Sequence, residues 1–201
     1  NSLMVGAMPF VLGGDHSLGM GSIAGTSKYF NEIAVIWIDA HADINTEYTS
    51  PSGNIHGMPL AASMNVGNKA LTDIYFRGQK VKPENVYILG ARDIDPGEYK
   101  LAEETKINLF TMDTIREEGL DRVLNIIVSK INESNVDGVH LSFDIDALDS
   151  SLVPGTGTPV SGGFVLKECK DIFTYLIKNV NISTIDFVEF NPVIDVNNET
   201  L

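Results

Sequence analysis

The sequence predicts an α/β fold, namely a three-layer, doubly wound and mostly parallel sheet with helices on both faces. Short apolar runs rich in β-branched residues recur along the chain. Segments with the apolar period of a helix separate most of these runs, and Gly and Asn stand near their ends. Such alternation of strand and helix favours βαβ units, whose crossover helices cover both faces of a parallel sheet.

Six strands and three longer helices are predicted from these patterns. The first strand is counted from Phe10, because Pro9 has no amide hydrogen to donate to a sheet ladder. The predicted strands are residues 10–12, 33–38, 86–89, 107–111, 139–143 and 182–187, and the predicted helices are residues 17–30, 120–131 and 164–177. No internal repeat or linker interrupts them, so we expect residues 1–201 to form one domain.

Composition limits the class of protein. A chain of 201 residues with 43% hydrophobic and 20% charged residues can bury a substantial core, as soluble globular proteins do. No apolar run approaches the roughly 20 residues that span a bilayer, and Cys169 alone cannot form an internal disulfide, so we expect a cytoplasmic protein. The net charge of −13 argues against nucleic acid or acidic membranes as partners and leaves negative charge available to bound cations.

Polar residues cluster where three predicted strands end. Asp39, His41 and Asp43 follow residues 33–38 in "WIDAHADIN". If the backbone stays extended there, their side chains share one face, because side chains alternate along a strand. In open α/β sheets, ligands bind beyond the carboxyl ends of the strands, so this is a candidate site.

Two further strands end in the same way. Asp144 and Asp146 stand two residues apart in "SFDIDALD", again on one face if the segment is extended, and His16 follows the first strand in "LGGDHS". An isolated Asp after a strand more often caps a helix or closes a turn, and a lone DxD is common. Asp and His residues that recur at three strand ends of one parallel sheet indicate a metal site much more specifically than one such motif does.

These six side chains predict a metal site. Carboxylates that converge repel one another unless cations are bound between them. Four Asp and two His exceed the three protein ligands of a catalytic zinc, whereas two metals with shared carboxylates would use all six. Ligands rich in carboxylate and without thiolate favour Mn²⁺, while Fe, Co, Ni and Zn stay open.

The motifs "GGDHS", "DAHADIN", "SGNIHG", "SFDIDALDSSLVPGTGTPVSGG" and "VEFNP" together resemble the ureohydrolase superfamily, and most closely the arginases. They occur in the family's order over nearly the whole chain. The family pattern implies further strand and helix before residue 1 and a further helix after residue 201. On that comparison we expect the chain to be a catalytic domain without its terminal parts.

The resemblance implies a binuclear manganese site with two Mn²⁺ per chain. His16 and Asp43 would bind one ion, His41 and Asp146 the other, and Asp39 and Asp144 would contact both. A hydroxide between the ions would attack the guanidinium carbon of L-arginine, giving L-ornithine and urea. Asp43 would also orient that hydroxide. His56, in "SGNIHG", resembles the family's mobile proton-transfer histidine, and an imidazole titrates near neutrality.

Substrate contacts are implied in the same way. Glu189 would pair with the guanidinium and Thr158 would line that side of the pocket. The neutral residues Asn45, Ser50, Ser52 and Asn54 would receive the α-carboxylate. Asp95 would bind the α-amino group, with Glu98 as an indirect partner. Because agmatine has no α-carboxylate, this set of donors favours arginine.

Three alternatives stay open from the sequence. The chain may be read as an arginase, as an agmatinase or another guanidino-substrate ureohydrolase, or as an inactive metal-binding homologue. Ser50 stands where arginases more often have Thr, although its hydroxyl is retained. By resemblance we also expect a homo-oligomer, a trimer or hexamer. His140, which lies inside a predicted strand, and Trp37 are expected to be packing residues rather than metal ligands.

Overall fold

The computed structural model describes residues 2–200 and contains one six-stranded sheet. The strand order is β1-β6-β5-β2-β3-β4, and every pairing between these strands is parallel. The strands span β1 Phe10–Leu12, β2 Ile33–Ile38, β3 Val86–Ala91, β4 Asn108–Thr111, β5 Gly138–Asp144 and β6 Ile182–Val188. The predicted α/β class with a doubly wound, mostly parallel sheet is therefore confirmed.

Seven α-helices connect or flank these strands in the described part of the chain. They are α1 Gly19–Tyr29, α2 Pro59–Ser63, α3 Lys69–Thr72, α4 Pro96–Thr105, α5 Met112–Glu118, α6 Leu120–Glu133 and α7 Leu166–Asn179. The three long helices of the prediction are present, with shifted ends. Short helices α2 to α5 were not predicted, because four to ten residues give too little period to recognise.

The predicted starts of two helices were wrong. Phe164, predicted to begin a helix, instead forms an isolated parallel bridge with Leu148, and α7 begins two residues later. His16–Leu18 forms a separate 3-10 turn, so α1 begins at Gly19 rather than at Ser17. Both differences lie beside the carboxyl end of the sheet, where loop contacts decide the local backbone.

The core lies on both faces of the sheet. Strand β2 shows this most directly, since all six of its residues are buried and their side chains alternate between two clusters. Ile36 and Ile38 pack towards α6 and α7, while Val35 and Trp37 pack towards α1 and α2. Each buried side chain of this size contributes about 1.5–3 kcal/mol to stability. None of the described helices is long and apolar enough to cross a membrane.

The strand order reverses direction between β2 and β5. From β2 the chain proceeds outwards to β3 and β4, and it then returns to place β5 and β6 on the other side of β2. At such a switch point the loops after the two neighbouring strands diverge, and a crevice opens beyond their carboxyl ends. Asp39 follows β2 and Asp144 ends β5, so both lie at this crevice.

Candidate metal centre and substrate cavity

The register of β2 and β5 places the first carboxylates together. Ile38 pairs with Phe143, so the residues that follow, Asp39 and Asp144, leave the sheet side by side. Both are buried, with exposures of 0% and 2%. We refer to His16, Asp39, His41, Asp43, Asp144 and Asp146 as the His/Asp cluster.

The backbone after both strands turns instead of staying extended. Asp39 Oδ1 accepts a hydrogen bond from His41 N at 2.7 Å, and Asp144 Oδ1 accepts one from Asp146 N at 2.8 Å. Asp43 adopts a left-handed conformation with φ 54°. The expectation of two extended segments was therefore wrong. The side chains converge because tight turns, held by the carboxylates themselves, redirect them.

His16 reaches the cluster from a turn after β1. Asp15 caps this turn by accepting a hydrogen bond from Ser17 N at 2.8 Å. The His16 ring stacks on Trp37 with a centroid distance of 3.8 Å and an interplanar angle of 6°. Its Nε2 lies 2.8 Å from Ser142 Oγ. These contacts fix the ring and leave Nδ1 facing the cluster.

The His16 Nδ1 atom is buried and has no hydrogen-bond partner among the described residues. It nevertheless lies 3.0 Å from Asp39 Oδ2, 3.1 Å from Asp144 Oδ2 and 3.4 Å from Asp43 Oδ2. A buried polar atom without a partner costs free energy, so such atoms are rare unless a ligand binds there. One nitrogen facing three carboxylate oxygens is an arrangement that a cation would satisfy.

His41 forms a second group next to the first. Its Nδ1 lies 3.1 Å from Asp146 Oδ2 and 3.3 Å from Asp39 Oδ1. Potential ligand atoms therefore fall into two sets, each within 4.8 Å: one from His16, Asp39 and Asp43, and one from Asp39, His41 and Asp146. Asp39 belongs to both sets, as a bridging carboxylate would.

Burial sets the electrostatics of the cluster. Burial and the neighbouring Asp39 raise the pKa of Asp43 well above its ordinary value, and burial and Asp146 do the same for the pKa of Asp144. Burial disfavours the charged form of His41, yet its bonds with Asp146 and Asp39 raise the pKa of the imidazole to about 12. Burial and mutual repulsion thus disfavour the charged forms of Asp43 and Asp144, and bound cations would offset this. The donor set therefore fits two divalent cations.

A cavity of about 220 Å³ opens above the cluster. His41 and Asp43 lie on its wall together with the predicted proton-transfer residue His56 and most of the predicted substrate contacts, namely Asn45, Ser50, Ser52, Asn54, Asp95, Glu98 and Thr158. Asp93 and Gly57 complete the lining. The structure thus brings the predicted metal ligands and nearly all predicted substrate contacts to one place.

Residues 45–57, which we name the donor loop, hold their own shape through short-range hydrogen bonds. Ser50 Oγ accepts from Gly53 N at 2.9 Å, and Ser52 Oγ accepts from Asn54 N at 3.1 Å. Asn45 Nδ2 donates to Asp95 Oδ2 at 2.8 Å, which ties the loop to the beginning of α4. The wall of the cavity is therefore polar and mostly uncharged on this side.

Glu98 acts on the loop through the backbone. Its Oε1 accepts from Ile44 N at 3.0 Å and its Oε2 accepts from Asp95 N at 2.9 Å. Burial raises the pKa of this carboxyl to about 7. Although Glu98 lines the cavity, both of its oxygens are engaged, which is the arrangement of a residue that holds Ile44 and Asp95 in place.

His56 and Thr158 both line the cavity. His56 lies in a 3-10 turn, Ile55–Gly57, and borders both this cavity and a wider cleft that Asp15 also lines. Within residues 2–200 no hydrogen bond holds its ring. Thr158 Oγ1 donates to Asp146 Oδ2 at 3.0 Å, so it also contacts the His/Asp cluster.

Glu189 lies outside the lining of the cavity. It follows β6 with φ 63°, and its Oε1 accepts from His16 N at 2.6 Å. Burial raises the pKa of this carboxyl. The residue is therefore on the His16 side of the cluster, where it helps to hold the turn after β1.

Two contacts of the cluster were not foreseen. Trp37 was predicted as core and is fully buried, but its Nε1 also donates to Asp39 Oδ2 at 3.0 Å. Ser142 faces His16 from β5. A sequence signal for Ser142 exists, because it stands two residues before Asp144 and so shares its face of the strand.

His140 is a packing residue, as predicted. It is fully buried in β5, with Nδ1 2.8 Å from Thr184 Oγ1 and Nε2 3.1 Å from Asp186 Oδ2. This group lies beside a separate cavity of about 300 Å³ between α1 and β6. The cavity contains none of the His/Asp cluster.

Comparison with known proteins agrees with the motifs. The arginase family model matches residues 1–201. Arginase from Bacillus caldovelox is 47% identical over 195 residues, which cover 97% of this chain and 65% of that protein. Arginase from Bacillus subtilis (strain 168) is 46% identical over 192 residues, covering 96% and 64%.

Structural comparison gives the same result. The native structure of the Bacillus caldovelox arginase at pH 5.6 matches with a TM-score of 0.94 and 46% identity, covering 98% of this chain and 66% of that one. The chain thus spans 64–65% of the length of these two curated relatives. On the family match and on the identity to these relatives, the chain belongs to the arginase family.

Proposed function

We propose that the complete protein hydrolyses L-arginine to L-ornithine and urea with two Mn²⁺ ions. The observation that carries this proposal is the pair of ligand sets sharing Asp39 at the wall of a cavity whose other side is the donor loop. The similar proteins of Bacillus caldovelox and Bacillus subtilis bear the name arginase.

His16, Asp39 and Asp43 would hold one ion, and Asp39, His41 and Asp146 the other. Asp144 would contact both, since its Oδ2 lies 3.1 Å from His16 Nδ1 and its Oδ1 accepts from Asp146 N. When bound, the cations lower the pKa of a coordinated water from about 15.7 to near 7 and so supply hydroxide at neutral pH. Carboxylate-rich ligands suit Mn²⁺.

The protein's own groups would guide the proton. Asp43 would accept a hydrogen bond from the attacking water and orient it towards the guanidinium carbon. Conversion of the guanidinium to urea requires that the departing nitrogen of ornithine gain a proton. His56, whose ring borders both the cavity and the wider cleft, would carry that proton between solvent and the leaving amine.

Recognition of the substrate would involve both ends of arginine. Thr158 would lie beside the guanidinium, and Glu189 would attract that cation from the His16 side. Neutral donors of the donor loop, Ser50 among them, would receive the α-carboxylate. Asp95 Oδ2, already within 2.8 Å of Asn45 Nδ2, would accept from the α-ammonium group.

Urea release from L-arginine and from agmatine, by the metal-stripped protein before and after addition of Mn²⁺, tests the proposal. We expect Mn²⁺-dependent release from arginine and little from agmatine. Preference for agmatine would contradict the role of the donor loop. No release from either substrate would indicate another guanidino substrate or an inactive homologue, and Zn²⁺, Co²⁺, Ni²⁺ and Fe²⁺ run in parallel would decide the metal.

We also propose a cytoplasmic homo-oligomer, a trimer or hexamer, as the family resemblance implies. Cys169 is the only cysteine of the sequence, and burial raises the pKa of its thiol to about 12. Sedimentation of the complete protein would decide the number of subunits.

A further inference from the structure

Arg92 follows β3 and directs its guanidinium to the segment after β5. Its Nη2 donates to the carbonyl oxygens of Asp146 at 2.7 Å, Val160 at 2.8 Å and Leu148 at 3.0 Å. Its Nε donates to Ser161 O at 3.1 Å, and its Nη1 approaches Gly90 O and Ala147 O, both at 3.3 Å. Six carbonyl oxygens therefore surround one guanidinium.

The guanidinium forms no ion pair within the described residues, although the carboxylates of Asp39, Asp144, Asp146 and Asp149 act on its pKa through their charge. The other three arginines of the chain are different, since Arg77, Arg116 and Arg122 each pair with an acidic side chain. A planar fork with five N–H donors can satisfy several carbonyl oxygens at fixed angles, which one ammonium group cannot do.

Five of the six carbonyls that Arg92 binds lie at the two ends of one segment, residues 146–161. Asp146 belongs to the His/Asp cluster, and Thr158, two residues before Val160, donates to Asp146 Oδ2 at 3.0 Å. The backbone N of Arg92 also donates to Ala40 O at 2.7 Å, next to Asp39. One residue thus joins the ends of β2 and β3 to both ends of the segment after β5.

The interior of the segment is closed by a different residue. Asp149 Oδ2 accepts from Gly162 N at 2.7 Å, and Asp149 Oδ1 accepts from Ser151 N at 3.0 Å. Backbone bonds from Asp149 N to Phe164 O and from Phe164 N to Ala147 O complete the closure. Loss of Arg92 would therefore shift the segment relative to β2 and β3 without removing the contacts that fold it.

We propose that Arg92 is a positioning residue of this site, which holds Asp146 and Thr158 in register with His41 by clamping both ends of residues 146–161. The inference rests on the proposed function in that Asp146 is taken as a metal ligand and Thr158 as part of the substrate cavity. Arg92 itself neither lines the cavity nor belongs to either set of potential metal ligands.

The test compares Arg92→Lys and Arg92→Met with Arg122→Lys and Arg122→Met in the complete protein. Arg122 is a matched control, because it is exposed and pairs only with Glu118, the last residue of α5. For each variant we measure the Mn²⁺ affinity, the hydrogen exchange of the amides of residues 146–164 and the melting temperature. We also measure kcat and KM for arginine.

We expect both Arg92 variants to bind one of two Mn²⁺ ions about 10–100-fold more weakly and to exchange faster in residues 146–164. At saturating Mn²⁺, kcat falls by a similar factor and KM stays near that of the unmodified protein, because the contacts for the amino-acid end lie on other segments. Arg92→Lys retains the charge and most of the packing. It therefore tests the proposal even if Arg92→Met does not fold.

The proposal would be overturned if Arg92→Lys had the same Mn²⁺ affinity, hydrogen-exchange rates and kcat as Arg122→Lys. It would also be overturned if Arg92→Lys only lowered the melting temperature. Failure of the proposed function has a different signature. If the unmodified protein releases no urea, the Mn²⁺ affinities and exchange rates still decide whether Arg92 holds the segment.

Discussion

The His/Asp cluster and the donor loop face the same cavity but are held in different ways. Members of the cluster are mostly buried, and they contact residues far away in sequence: His16 meets Ser142 across 126 positions, and Ala40 N meets Asp146 across 106. The hydroxyls of the donor loop contact groups two or three residues away and stand largely exposed.

If the proposed function holds, this difference separates the residues for chemistry from the residues for recognition. A metal site needs ligand atoms fixed within tenths of an ångström, and neighbouring parallel strands with a stacked ring beneath His16 provide that. A loop that receives one carboxylate needs donors of the right type and tolerates small movements. We therefore expect substitutions in the cluster to remove one or both metal ions, and substitutions in the donor loop to alter only affinity and preference for substrate.

The largest effect should come from the shared carboxylates. Asp144→Ala should lose both Mn²⁺ ions and Asp146→Ala mainly one. Activity should fall on the order of a thousandfold or more, because bound metals lower the activation barrier by several kcal/mol. Metal content by elemental analysis and urea release measure this. Full retention of both metals in both variants would contradict the assignment of ligands.

A smaller effect on Mn²⁺ binding is expected from Ser142, which contacts the ligand His16. Ser142→Ala removes the 2.8 Å contact to His16 Nε2 and frees the ring to rotate, which should weaken Mn²⁺ binding about 10–100-fold. Ser129→Ala is the matched control, because Ser129 lies on the exposed side of α6 and bonds only to Glu133. Equal Mn²⁺ affinity in the two variants would show that stacking on Trp37 alone fixes His16.

The donor loop should respond in KM and in preference. Ser50→Ala removes a hydroxyl that accepts from Gly53 N and lines the cavity. We expect KM for arginine to rise roughly tenfold, the order of one hydrogen bond to a charged group, with Mn²⁺ content and agmatine turnover unchanged. An equal loss on agmatine would mean that the hydroxyl shapes the loop without meeting the α-carboxylate.

The smallest effect concerns pH and stability. Bonds from Ser151 Oγ, Ser151 N and Gly162 N lower the pKa of Asp149 to about 2, below its ordinary value of 3.8. A carboxyl whose pKa is depressed in the folded state stabilises it above the ordinary pKa, and this contribution is lost as pH falls towards 2. Melting temperatures of Asp149→Asn and the unmodified protein should therefore differ at pH 6 and converge near pH 2.

Asp171→Asn provides the control for that comparison, because Asp171 is exposed and pairs only with Lys167 in α7. Its melting temperature should follow that of the unmodified protein within a small margin at every pH. If the melting temperature of Asp149→Asn differs from that of the unmodified protein by the same amount from pH 6 to pH 2, packing of the amide and not loss of the charge causes the difference.

Much of the site could be predicted because its residues stand in short, local patterns. Apolar runs marked β2 and β5, and the charged residues directly after them marked the carboxyl ends where α/β folds bind ligands. This reasoning predicted Asp39, His41, Asp144 and Asp146 as site residues. It also predicted His140 as a packing residue within a strand.

Other features depend on contacts that no local pattern contains. The turns after β2 and β5, the left-handed backbone at Asp43 and the position of Glu189 against His16 N all arise where distant segments meet. Trp37 read as core from its apolar neighbours, and its bond to Asp39 became visible only in three dimensions.

By itself, the sequence determined the α/β class, the six strands and the six side chains of the His/Asp cluster, because hydrophobic period and strand-end chemistry are local properties. Tertiary structure alone decided that β2 and β5 are neighbours, that His16 Nδ1 faces three carboxylates, and that Arg92 binds both ends of residues 146–161. The physical reason is that strand order and backbone hydrogen bonds between distant segments are set by the packing of the whole sheet, and a side chain's partners follow from that packing.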